Sequence, residues 1–83
     1  MTLIAIVGGV KLYMYANDHP AAHFHALFGE YRAAIDIETV AVSRGQLPRV
    51  KRAAVLERAR ARRAELADAW NATQAGLLVD RIQ

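Results

Sequence analysis

Two runs of alternating side chains, residues 22–28 and 31–38, are separated only by Gly29-Glu30, and this constrains the fold more than any other feature of the chain. Alternation with period two marks a strand. Glycine at the first position of a two-residue loop suits a type II′ hairpin turn, and the turn then sets the register. Counting outward, Phe28 faces Tyr31, Ala26 faces Ala33, Phe24 faces Ile35 and Ala22 faces Ile37, which makes one side apolar. On the other side Leu27 faces Arg32, His25 faces Ala34 and His23 faces Asp36. Two histidines therefore share a sheet face with a carboxylate.

The flanking segments supply the rest of the sheet and its cover. From Val10 to Ala16 the order alternates again, with Val10, Leu12 and Met14 on one side and Lys11, Tyr13 and Tyr15 on the other. Asn17, Asp18 and Pro20 end that strand and leave His19 on a loop. A short further strand is expected over Val40–Ser43. Gly8-Gly9 reads as a flexible join or bulge, since no GxGxxG or Walker pattern surrounds it, and no nucleotide cofactor is implied. After the loop at Arg44–Pro48, no glycine or proline interrupts the chain as far as Ala72, and a proline in the first turn suits a helix start. At about 100° per residue Val55, Leu56, Ala59, Leu66, Ala67 and Trp70 fall on one helical face. Gly76 can take the left-handed conformation that closes a helix. The expected fold is α+β: a small antiparallel sheet of three to four strands within residues 3–44, packed on one long C-terminal helix over about 48–72. The tail, 73–83, docks on the domain or on a partner.

The length of 83 residues limits the chain to a single domain, 1–83, because one this short buries only about 60% of its unfolded surface. Its hydrophobic share of 54% suffices for folding, but alanine supplies much of it, so the core is thin and a homodimer is one way to cover it. There is no cysteine, which excludes disulfides and thiolate metal sites and fits a reducing compartment. The apolar run Leu3–Val7 is far shorter than the roughly 20 residues a membrane span needs, and no secretory leader is recognisable. A cytoplasmic protein is expected. The formal charge of +3 is uneven: residues 1–43 are acidic by two, and residues 44–83 are basic by five. That asymmetry serves either to attract phosphates or to hold the two halves together.

The candidate chemistry is concentrated in the segment from Asp18 to His25. His23 and His25, two apart on one strand, point the same way, and with His19 as third ligand and Asp36 as fourth they could hold a divalent metal. Alternatively His23 is hydrogen-bonded to Asp36 in a structural pair. His23, His25 and Asp36 are also the candidate catalytic set, because an imidazole oriented by a carboxylate does acid and base work near neutral pH. Tyr13, Tyr15 and Arg32 on the same face could stack on bases and hold phosphates, with help from Arg49 and Arg52 on the helix. Arg49, Arg52, Arg60 and Arg63 fall within about 80° of one another by helical geometry. This stripe overlaps the apolar face, so some of these arginines are expected to snorkel or pair with carboxylates.

Tyr13-Met14-Tyr15, Asn17-Asp18-His19, His23-Phe24-His25, Gly29-Glu30, Ile35-Asp36-Ile37, Gly45 with Leu47-Pro48, and Leu66 and Trp70 together resemble the domain of unknown function 4160 family of small bacterial proteins. The resemblance runs over nearly the whole chain. It departs from the family pattern at Ala21 and Ala22, where two prolines are usual, and at Val40, where a glycine is usual in the turn. The first change loosens the loop carrying His19, and the second makes the turn harder to form. Members resemble small cytoplasmic proteins, often encoded beside another small domain, and some carry toxin-antitoxin or regulatory labels. The resemblance thus implies a binding module in a paired or regulatory system, with a nucleic acid or a small protein as partner. The alternative is a hydrolase or ribonuclease, metal-dependent or not, centred on His23, His25 and Asp36. A third reading makes the histidine face an oligomer interface.

Overall fold

The structure, a computed structural model, describes all 83 residues, Met1–Gln83. Five strands, β1 (Thr2–Val7), β2 (Val10–Met14), β3 (His23–Phe28), β4 (Tyr31–Asp36) and β5 (Ala41–Gly45), form one antiparallel meander in sequence order. Two helices, α1 (Arg49–Ala61) and α2 (Arg63–Gln74), follow. The α+β expectation holds, but the sheet has five strands where three to four are expected. The additional strand is the apolar segment before Gly8-Gly9. Its alternation is hidden by a bulge between Leu3 and Ala5, which buries Ile4 and Ala5 in succession. Gly8 and Gly9, at φ 55 and 83, make the tight turn that pairs Val7 with Val10. Two successive positive φ angles are what a type I′ hairpin needs, so the pair is a turn and not a flexible join.

The β3–β4 hairpin carries the expected register, from Phe28 opposite Tyr31 to His23 opposite Asp36. Ile37 continues it by donating its N–H to the carbonyl of Ala22 at 3.1 Å. Gly29 alone in that turn has a positive φ, as a type II′ turn requires. The inward side chains Phe24, Ala26, Ala33 and Ile35 are buried together with Ile4, Val10, Leu12 and Met14. Tyr31, at the turn, remains exposed.

Helices cover only this face of the sheet, through Val55, Ala59, Leu66, Ala69 and Trp70. One long helix is expected from sequence, and the structure has two. Arg62 leaves the helical region at φ −117, ψ 24, while its N–H still reaches the carbonyl of Arg58 at 3.0 Å. Its Nε donates to the carbonyl of Gln83 at 3.0 Å, so the bend is tied to the tail. Gly76, at φ 75, closes α2: its N–H bonds the carbonyl of Thr73, and that of Leu77 bonds the carbonyl of Ala72. This is the Schellman pattern. The tail then docks without regular structure, Ile82 donating to the carbonyl of Ile4 at 2.7 Å and packing on the core with Val79. No helix is long and apolar enough to cross a membrane.

Candidate functional site: a histidine and aspartate cluster beside a basic groove

The face of the sheet opposite the helices carries His25, Leu27 and Arg32. Strand alternation sends them outward because Phe24, Ala26 and Ala33 are buried. Along this face runs a groove of about 460 Å³, lined by Tyr15, the 18–21 loop, His23, His25, Arg32 and residues 43–45 of β5.

At one end of it three side chains converge. Nε2 of His23 lies 2.9 Å from Oδ2 of Asp18, and Nε2 of His25 lies 3.0 Å from the same oxygen. The three ligand-capable atoms lie within 4.8 Å of one another. Asp18 is held in place by long-range contacts. Its N–H donates to Oε1 of Gln74 at 3.1 Å, while Nε2 of Gln74 donates to the carbonyl of Tyr15 at 2.9 Å. Its Oδ1 accepts the His19 N–H at 2.9 Å. The end of α2 thus fixes the loop against the sheet. His23 is steadied from its other nitrogen, Nδ1, which lies 2.7 Å from the carbonyl of Ala21. The Trp70 ring is 5.1 Å from the His23 ring, and the Tyr15 ring meets His25 edge-on at 4.6 Å.

Burial pushes the Asp18 carboxyl up. The His25 hydrogen bond, the His19 N–H and the nearby charge of His23 and His25 outweigh it, and hold Asp18 below the usual carboxylate range. Asp36 also lies below that range, chiefly because it accepts the Thr39 N–H, and with burial opposing.

Some residues predicted from sequence are brought together here and others are not. His23 and His25 share the site, and Tyr15 and Arg32 line the groove. His19 contributes only its backbone N–H and is itself exposed. Asp36 lies opposite His23 in register, but its Oδ1 accepts from the N–H and hydroxyl of Thr39 at 2.8 and 3.0 Å. His23 therefore meets Asp18 where Asp36 is expected. Tyr13 pairs with His25 in register without lining the groove, and Arg49 and Arg52 stand exposed on α1 away from it. The arginine stripe does not pair: the single arginine–carboxylate contact is Arg62–Glu65 at 3.8 Å. Sequence reasoning missed Asp18 as a ligand and Arg44 as a groove residue. Asp18 reads first as a turn former, and its position within the histidine-rich segment is the signal that marks it.

The Asp36 contact gives a pH expectation. A folded-state value below the ordinary 3.8 means the carboxylate stabilises the fold above that pH, and the contribution is lost as pH falls through the folded value. Asp36→Asn retains an oxygen for Thr39 but does not titrate. Urea midpoints measured between pH 5 and pH 2 should fall less steeply for the variant than for the wild type. Equal slopes would remove Asp36 from the acid response.

The family model described as Domain of unknown function (DUF4160) matches residues 9–71. The match spans the chain from the first turn into α2 and includes Asp18, His23, His25 and the groove. No curated protein and no solved structure matches the chain. With more than half of its length matched by that model, and with the histidine-rich segment inside the match, the chain belongs to the DUF4160 family.

Proposed function

We propose that this chain is a small binding module that takes a single-stranded nucleic acid across the open face of its sheet. The observation that carries this reading is the pairing of Arg32 and Arg44, both exposed and without a carboxylate partner, with the rings of Tyr15 and His25 in one groove. Guanidinium groups hold phosphates, and aromatic rings on a sheet face offer stacking surface to unpaired bases. The volume of about 460 Å³ falls within the range of small-ligand sites, which suits one or two nucleotides at a time. A regulatory or paired-system role, as the resemblance implies, is compatible with such a module.

The test is fluorescence anisotropy of a short labelled oligonucleotide over a range of salt concentrations. Binding should weaken linearly in log salt, and Arg32→Ala or Arg44→Ala should each reduce the slope by about 0.7. Tyr15→Ala should cost about 1–3 kcal/mol of affinity. Binding that ignores salt, or that survives all three substitutions unchanged, sinks the reading.

A second reading, hydrolysis of the phosphodiester in the same groove, is favoured by the convergence of two imidazoles on one carboxylate. It is tested by incubating RNA with the wild type and with His23→Gln, which should differ in cleavage rate.

A further inference from the structure

We infer that Asp18, His23 and His25 form a binding site for a first-row divalent cation, held by Oδ2 of Asp18 and Nε2 of each histidine. The inference goes beyond nucleic-acid binding and does not depend on it.

Two observations support it. The first is the convergence itself. Oδ2 lies 2.9 and 3.0 Å from the two Nε2 atoms. Ligands at about 2.0–2.1 Å from a metal and at right angles to each other are about 3.0 Å apart, which matches the two nitrogen–oxygen separations. Two imidazoles and one carboxylate form the facial set that suits zinc, nickel, cobalt or ferrous iron, while the absence of cysteine excludes thiolate sites.

The second is the state of His23. Its Nδ1 faces the carbonyl of Ala21 at 2.7 Å, and its Nε2 faces a carboxylate oxygen at 2.9 Å. Both neighbours only accept hydrogen bonds, and a neutral imidazole has one N–H. With that proton on Nδ1 and bonded to Ala21, the Nε2 lone pair faces Oδ2, a place that a second ring proton or a cation fills. A cation there bonds to both atoms. A ring N–H donated to a backbone carbonyl is also the outer contact by which proteins orient metal-ligating histidines. The remaining contacts pin the other ligands: His19 N–H on Oδ1, Gln74 on the Asp18 backbone, and Tyr15 against the His25 ring. The ligands are half-buried at the mouth of the groove, so an ion there keeps positions open to a ligand in it.

Calorimetry with zinc, with magnesium as a hard-cation control, tests the site. The expected result is one zinc per chain and much weaker magnesium binding. Asp18→Asn and His25→Gln should each weaken zinc binding at least tenfold, whereas His19→Ala should leave it unchanged. Circular dichroism checks that each variant is folded. If one is not, the wild-type melting temperature should still rise with added zinc, and cobalt should give the visible spectrum of a nitrogen- and oxygen-ligated ion. The inference is overturned if the wild type binds no zinc, if both ligand variants bind it as tightly as the wild type, or if only His19→Ala loses it.

Discussion

Gly45→Ala is expected to cost about 2–5 kcal/mol, a large share of the stability of a domain this small. Gly45 stands at φ 74, and a Cβ built on it lies 2.2 Å from the carbonyl oxygen of Arg32. That oxygen accepts the N–H of Gln46 at 2.9 Å, so the methyl group pushes on a backbone contact that joins β4 to the segment after β5. The left-handed conformation costs an L-residue about 1–2 kcal/mol, and forcing β4 and β5 apart adds roughly 1–3 kcal/mol. A domain of this size has about 4–12 kcal/mol in total. Gly29→Ala is the internal control. It also has a positive φ, but its added Cβ meets nothing within 4 Å, so only the conformational cost applies. Thermal melts should show a clearly larger loss for Gly45→Ala than for Gly29→Ala. Equal losses would mean that β5 does not press against Arg32 as described.

Phe24→Ala should cost about 3–5 kcal/mol, the usual result of emptying a buried aromatic position. Phe24 is fully buried between two histidines that face the other way. Its packing keeps β3 from rotating, which holds His23 and His25 over the groove. His25→Ala, by contrast, removes one partly exposed hydrogen bond and should cost about 1 kcal/mol. Chemical denaturation should separate these adjacent positions clearly. A Phe24→Ala variant as stable as His25→Ala would place the core on the wrong side of the strand.

The contrast between these positions also shows what the sequence makes legible. The faces of β3 and β4 are readable because a two-residue turn at Gly29-Glu30 leaves only one register that buries Phe24 and Ile35 together. Nothing of that kind marks the first strand, where the bulge at Ile4 breaks the alternation. Nor does anything mark the bend at Arg62, since Arg62 is itself a good helix former and its contact with Gln83 is made across 21 residues. The partner of His23 is misread for a related reason. Register puts Asp36 across from it, but Asp36 sits at the end of its strand, where the turn N–H of Thr39 is the nearer donor. Asp18 replaces it because Gln74, 56 residues later, holds the loop in place. Local pattern carries pairings within a hairpin, whereas a loop fixed by a distant helix is visible only in three dimensions. Val40 is a further instance: it holds φ 53, where the family usually has glycine, and is 9% exposed, so burial helps offset the strained turn.

The most direct test of the site is nitrogen-15 NMR of the histidine rings in metal-free protein, comparing the wild type with Asp18→Asn and Asp36→Asn. The expected result is a slowly exchanging Nδ1 proton on His23, and ring shifts of His23 and His25 that move in Asp18→Asn while His19 stays put. Ring signals of His23 that respond to Asp36→Asn and ignore Asp18→Asn would contradict the account.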